Sequence, residues 1–345
     1  MPRRLLPAIG SRAPISQTVR LLGDLLGEVI IEQAGTDAFD QVESIRRQAK
    51  EHRASGGAAE NHQLASDLAA LSLAEMWRIL RAFTLWFQLI NSAEQREIVR
   101  QSREQQRLLG DVPRPESPAA AIGRLHAKGW NLARCRDLLR HLTITLVFTA
   151  HPTEARRRTV LESLAAIGEL LADLERPDLL PGEKLALVAD LKRRISVLWQ
   201  TELVRSVPPT VLDEVDQGLF FLETVLFHTL PTLHADLESA VTRFYPDAER
   251  EMPAVVRITS WRGGDRDGNP LVTPEVTRET LRQHRLHVLA RYEAAVRRLI
   301  PQFTHSADLA RISTALADSL ACDRIECRSA ALPAPLRSGA EPYRE

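Results

Sequence analysis

Two short runs of β-branched and apolar residues constrain the fold of this 345-residue chain more than any other feature. They cover residues 143–148 and 255–259, and each predicts a buried strand. Each run leads through a polar, Gly- or Pro-containing turn into a long helical pattern. Such a strand–turn–helix unit is typical of a barrel or an open parallel sheet, where functional groups lie at the carboxyl ends of strands. Two strands cannot close a barrel, so the sheet is either completed elsewhere or very small.

Most of the remaining chain has helical periodicity. Apolar residues recur at helical spacing near the amino terminus, as at Leu22, Leu25 and Val29. Thr210 and Thr273 are suitable N-caps for later helices, and Pro274 is a favourable first helical residue. The sequence therefore predicts a mainly α protein with a few parallel strands.

Charge and composition exclude several classes of protein. The formal net charge is +0, with 45 basic and 45 acidic residues, which gives no electrostatic argument for nucleic acid or an anionic membrane. No segment approaches the roughly 20 apolar residues that a membrane span needs. The three cysteines match no zinc-binding spacing. We expect a cytoplasmic protein without nucleic-acid or membrane partners.

His151 is the first candidate catalytic residue. It follows the first predicted strand directly and precedes Pro152, which disfavours the α-region for the residue before it and so holds His151 extended. An imidazole with an ordinary pKa of about 6.5 suits proton transfer near neutral pH. The alternative is that His151 only packs or caps, which is more common for a lone histidine.

Three arginines, Arg156, Arg157 and Arg158, follow in the first turns of the next helix. Guanidinium groups beside a helix amino terminus suit phosphate, so this segment is a candidate anion site. The alternative is a solvated helical face with salt bridges to Glu154 or Glu162. Consecutive helical residues point in different directions, so at most one or two of the arginines can face a cleft.

A second polar cluster, residues 261–270, follows the second strand. It contains glycines, two carboxylates and two arginines. It is not an EF-hand, because its glycine comes too early and the terminal glutamate is missing. A turn whose aspartates and arginines brace each other fits better, and by itself this motif could be either structural or functional.

Taken together, these motifs resemble phosphoenolpyruvate carboxylase. The resemblance lies in residues 149–154 with the two arginines that follow, and in residues 263–270, with support from residues 21–27, 91–95 and 198–201. It implies a magnesium- or manganese-dependent enzyme that forms oxaloacetate and phosphate from phosphoenolpyruvate and bicarbonate and so feeds the tricarboxylic acid cycle. The complete family members are typically homotetramers.

The resemblance also implies roles for individual residues. His151 is expected to deprotonate or stabilise carboxyphosphate. The expected substrate-binding residues are Arg157, Arg158 and Arg266. The expected active-site framework residues are Asp265, Asp267 and Asn269. Arg262 stands where the family more usually has an apolar residue, which we interpret as a minor change.

Family members are well over twice this length, and the later half of their pattern, which carries the metal ligands, is absent here. We therefore expect residues 1–140 to form an N-terminal helical region and residues 141–345 to form the first part of the catalytic region, truncated at its carboxyl end. The expected fold is an incomplete (β/α) TIM-like barrel without metal ligands of its own, inactive by itself. The alternative is a catalytically inactive helical partner or regulatory module derived from the family.

Overall fold

The structure, a computed structural model, describes residues 15–55, 58–149, 157–203, 208–248, 252–306 and 309–326. Within these ranges the chain forms twelve α-helices and two β-strands. The amino-terminal helices are α1 (Ile15–Ala34), α2 (Thr36–Ser55), α3 (Ala58–Ala69), α4 (Leu73–Leu109), α5 (Pro118–Ala127) and α6 (Leu132–His141). After strand β1 (Ile144–Phe148) come α7 (Arg158–Leu174), α8 (Pro181–Gln200), α9 (Val211–Phe221) and α10 (Phe227–Phe244). Strand β2 (Val256–Ser260) precedes α11 (Pro274–Leu299) and α12 (Thr314–Glu326).

The two strands pair in parallel, with the register running from Ile144↔Val256 to Phe148↔Ser260. The Ile144 amide donates to the Val255 carbonyl (2.7 Å) at one end, and the Trp261 amide donates to the Phe148 carbonyl (2.9 Å) at the other. The predicted mainly helical chain with parallel strands is confirmed. Both strands lie within one or two residues of their predicted positions.

The side chains of β1 are exposed. Ile144, Leu146 and Val147 retain 47%, 43% and 42% of their accessible surface. The expectation of a buried strand is therefore wrong for β1, because the described residues do not cover it. Parallel sheets are normally covered on both faces, so this strand leaves apolar surface of the kind that an incomplete sheet exposes.

The chain divides into two units, Met1–Arg262 and Gly263–Glu345. The main core of the first unit is formed by α1, α2, α4, α7 and α8, and it includes the fully buried Leu22, Leu85 and Leu198. This core joins helices from both sides of the predicted boundary after residue 140. It therefore packs α7, the helix that follows β1, against helices that lie earlier in the chain than β1.

A second core in the same unit is formed by α5, α6 and α10, with Val241 and Cys135 fully buried. The residues that lead into β2, Met252 and Val255, belong to this core. A Cβ atom on Gly123 would lie 2.7 Å from Cζ of Phe244, so a larger residue in α5 would require the Phe244 ring of α10 to shift. The second core thus anchors the segment that enters β2.

Helix caps explain where several helices begin. Thr210 and Thr273 accept N-terminal amide hydrogen bonds at the starts of α9 and α11, as predicted. The long helix α4 starts with a complete capping box between Ser72 and Glu75. The helical stretch that Thr210 caps is not one continuous α-helix, because a π-helical turn at Leu222–Leu226 separates α9 from α10.

Replacement of Leu85 by Ala tests the main core. We expect a loss of about 2–5 kcal/mol in the free energy of unfolding, because Leu85 is fully buried and its truncation leaves a cavity. Urea unfolding followed by circular dichroism measures this loss. The matched control is Leu108→Ala on the same helix, where the side chain is 81% exposed and the change should stay within about 0.5 kcal/mol. Equal losses at the two positions would contradict the described packing.

The capping box of α4 makes stability depend on pH. Hydrogen bonds from the Ser72 side chain, the Gln41 side chain and the Ser72 amide lower the pKa of Glu75 from 4.5 to about 2. Because the folded pKa is depressed, this contribution to stability is complete above pH 4.5 and is lost as the pH falls towards 2. The difference in unfolding free energy between the unchanged chain and Glu75→Gln should therefore shrink over that window. A difference that does not change with pH would contradict the assignment.

Candidate active site

His151 lies outside the described residues, as do residues 150–156 around it. The structure describes both flanks of this segment, Thr149 at the end of β1 and Arg157 at the start of α7. The Thr149 carbonyl accepts a hydrogen bond from the side chain of Arg262, 113 residues away.

Arg157 occupies the N-cap position of α7, without a side-chain capping bond. Its Nη2 donates to Oε2 of Glu202 (2.5 Å) across 45 residues of sequence. Glu202 follows the carboxyl end of α8, where the carbonyls of Trp199 and Thr201 accept from Arg81. The first of the predicted substrate-binding arginines is thus ion-paired, with its side chain 36% exposed.

Arg158, the first residue of α7, contacts three carboxylates. Its guanidinium donates to Glu162 (2.9 Å), Asp216 (3.0 Å) and Glu223 (3.2 Å) and lies 5.8 Å from the centre of the Phe220 ring. The hydrogen bond to Glu162, with the two further carboxylates, raises the pKa of Arg158 above its ordinary value. The salt bridge to Glu162 is the contact that the alternative of a solvated helical face includes. A phosphate group that bound here would have to displace at least one carboxylate.

The predicted framework residues of the second motif belong to the other unit and form a loop that bonds mainly to itself. Oδ1 of Asp265 accepts from the Asp267 amide (3.1 Å), and Oδ1 of Asn269 accepts from the Leu271 amide (3.1 Å). Both contacts are Asx turns, in which the side-chain oxygen of an Asp or Asn accepts a hydrogen bond from the backbone amide two residues further on. Nη2 of Arg266 donates to Oγ1 of Thr277 (3.2 Å) on α11. The loop is therefore braced by its own polar side chains, which are largely exposed.

Gly263 explains why the second motif begins with glycine. Its φ is +73°, and a Cβ atom would lie 2.1 Å from Oγ1 of Thr280, so any side chain would meet α11. The Gly263 carbonyl accepts from the Thr277 hydroxyl (2.8 Å). The loop and the first turns of α11 are therefore packed as one piece.

Arg262 is the functional candidate that sequence reasoning missed. It is 7% exposed, and its guanidinium donates to the carbonyls of Thr149 (3.0 Å) and Glu214 (3.1 Å) and to the side chain of Gln217 (3.4 Å). It also lies 5.8 Å from the centre of the Phe148 ring. The interpretation of Arg262 as a minor change is wrong, because a buried guanidinium needs several acceptors and here they come from β1 and α9.

A metal site cannot be assembled from the part of the chain that the structure describes. Within those residues, no three His, Cys, Asp or Glu side chains lie close enough together to hold a metal ion. None of the described helices is long and apolar enough to cross a membrane.

The sequence model of the phosphoenolpyruvate carboxylase family matches residues 15–345. The chain belongs to the phosphoenolpyruvate carboxylase family. The phosphoenolpyruvate carboxylase of Roseiflexus castenholzii is 42% identical over 309 residues, 90% of this chain and 33% of that protein. That of Rhodothermus marinus is 40% identical over 291 residues, 84% of this chain and 31% of that protein. The chain thus spans about a third of the length of these curated relatives.

A double-mutant cycle tests the carboxylate cluster around Arg158. Removing the cation in Arg158→Met leaves Asp216 near Glu162 and Glu223, so Asp216→Asn should restore part of the lost stability by relieving repulsion. We expect a coupling of about 0.2–1 kcal/mol between Arg158 and Asp216 because the pair is partly exposed, and it should weaken as salt is added.

The exposed pair Arg297–Glu293 provides the control cycle, since its side chains are 69% and 62% exposed. Urea unfolding at low and high salt measures both couplings. A coupling of zero between Arg158 and Asp216 at low salt would show that this ion pair does not stabilise the fold.

Proposed function

We propose that this chain is the N-terminal portion of a phosphoenolpyruvate carboxylase. In the complete enzyme, phosphoenolpyruvate and bicarbonate would yield oxaloacetate and phosphate. The parallel pairing of β1 with β2 carries this proposal. It makes Phe148 and Ser260 neighbours, so the two strands that precede the family's two motifs end side by side. Family membership and the one-third coverage of the relatives support the assignment to a portion of such an enzyme.

The exposure of β1 supports the incomplete-barrel fold. The apolar side chains Ile144, Leu146 and Val147 remain uncovered, whereas parallel sheets are normally covered on both faces. We infer that further strands and helices, in the part of the family's length that this chain does not span, complete a TIM-like barrel around β1 and β2. In that fold the carboxyl ends of the strands carry the active site.

In the proposed reaction, His151 acts on the carboxyphosphate intermediate. A bicarbonate oxygen attacks phosphorus while the phosphorus–enol oxygen bond breaks, which gives carboxyphosphate and the enolate of pyruvate. His151 accepts the carboxyphosphate proton or stabilises its charge. Carboxyphosphate then splits into carbon dioxide and phosphate, and the enolate carbon captures the carbon dioxide. A histidine near its ordinary pKa suits this role at neutral pH.

Three arginines are proposed to bind the phosphate group of the substrate. Arg157 and Arg158 at the start of α7, and Arg266 in the second motif, offer guanidinium forks that match phosphate geometry. For Arg158 this role requires exchange of its present carboxylate partners for the substrate's oxygens. Asp265, Asp267 and Asn269 keep the second motif in its folded form and serve as framework.

The divalent cation, magnesium or manganese, would have its ligands outside this chain. The described residues contain no cluster that fits it, so no step above is assigned to a metal held here. The complete enzyme is proposed to be a cytoplasmic homotetramer that supplies oxaloacetate to the tricarboxylic acid cycle.

The proposal predicts that the isolated chain forms no oxaloacetate above background, whereas a completed chain does. The completed chain is a fusion of these residues to the part of the Roseiflexus castenholzii relative that follows the aligned stretch. In that fusion, His151→Asn should reduce turnover about 10²–10⁴-fold, the usual contribution of a positioned acid–base. Coupling oxaloacetate formation to its reduction by NADH measures the rate.

The matched control is His141→Asn, because His141 lies at the end of α6 with its side chain 77% exposed. Its turnover should equal that of the unchanged fusion. Unchanged turnover in His151→Asn would remove His151 from the mechanism. A folded but inactive fusion, beside an active relative, would favour the alternative of a non-catalytic partner or regulatory module.

A further inference from the structure

The side chain of Arg262 lies beside the carboxyl end of β1 and can fix its position. It follows β2 by two residues, and the Trp261 amide before it makes the last backbone bond to β1, at the Phe148 carbonyl. Nε of Arg262 then donates to the next carbonyl along β1, that of Thr149 (3.0 Å). The side chain therefore holds the chain at the point where the backbone ladder stops.

The other end of the same guanidinium is fixed on α9. Nη1 donates to the Glu214 carbonyl (3.1 Å) and to Oε1 of Gln217 (3.4 Å), one turn further along the helix. The stem lies beside Gly218, where a Cβ atom would be 3.4 Å from Cδ of Arg262, an ordinary van der Waals distance. Glu214 and Gln217 are themselves 9% and 6% exposed, so this contact is shielded from water.

We propose that Arg262 is a positioning residue for the catalytic segment: it fixes the carboxyl end of β1, two residues before His151, against helix α9. The proposal rests on the proposed function only in treating His151 as the group being positioned. The planar guanidinium of arginine can donate hydrogen bonds to the Thr149 carbonyl and to α9 at the same time. Neither an apolar side chain nor the single ammonium of lysine can do this.

Two measurements on the 345-residue chain test this role without any turnover. In Arg262→Met, amide hydrogen exchange of Ala150, His151 and Thr153 should become about tenfold faster, because the Thr149 carbonyl loses the donor that fixes it. The pKa of His151, followed by NMR of selectively labelled histidine, should rise by a few tenths, because a positive charge near the segment disappears. A purely structural role in the remote cores would not change the pKa of His151.

Arg262→Lys distinguishes the effect of the positive charge from that of the guanidinium hydrogen bonds, because lysine keeps the charge but has only one ammonium group. It should keep the pKa of His151 close to that of the unchanged chain while residues 150–153 still exchange faster. The matched control is Arg96→Met, which removes a partly buried arginine paired with Glu175 (2.7 Å). That control should lower the unfolding midpoint without altering residues 150–153 or His151.

Unchanged exchange in residues 150–153 together with an unchanged pKa of His151 in Arg262→Met would overturn the proposal. If Arg262→Met does not fold, Arg262→Lys decides: faster exchange supports the proposal, and exchange equal to that of the unchanged chain overturns it. These results are independent of the fusion assay, so a failure of the carboxylase proposal and a failure of the Arg262 proposal can be distinguished.

Discussion

The parallel pairing of β1 with β2 is the constraint on which the rest of the first unit depends. Parallel strands cannot be joined by a tight turn, so the chain between them must cross over and return. Here α7 to α10 make that crossover: α7 and α8 join the main core, and α10 joins the second. The strand pairing therefore depends on helices that both cores hold in place.

Helix α9 connects the two arginines that matter most near these strand ends. Asp216 binds Arg158 at the start of α7, whereas Glu214 and Gln217 bind Arg262 at the end of β2. The two guanidinium groups are stabilised differently. Arg158 is partly exposed, and carboxylates neutralise its charge. Arg262 is buried, and backbone carbonyl and side-chain amide oxygens accept its hydrogen bonds. The first arrangement is sensitive to salt and to competing anions, and the second is shielded from both.

Features that depend on neighbouring residues could be predicted from the sequence. The strands, the N-caps Thr210 and Thr273, and the ion pair of Arg158 with Glu162 all involve residues within one turn or one run. Contacts between distant segments could not. The partners Asp216 and Glu223 lie 58 and 65 residues from Arg158, and no periodic pattern specifies them. The burial of Arg262 was missed because a charged residue after a strand is ordinarily exposed.

The π-helical turn at Leu222–Leu226 makes the length of this stretch less critical than that of the regular helix after it. The turn contains one more residue than an α-helical path of the same shape would need, so loss of one residue within it would leave α9 and α10 in the same phase. Loss of one residue within α10 has no such compensation. Because each helical residue turns the chain by about 100°, it would rotate every later side chain of α10 away from the second core. Within the turn, the side chain of Glu223 matters more than the exact number of residues, because it binds Arg158.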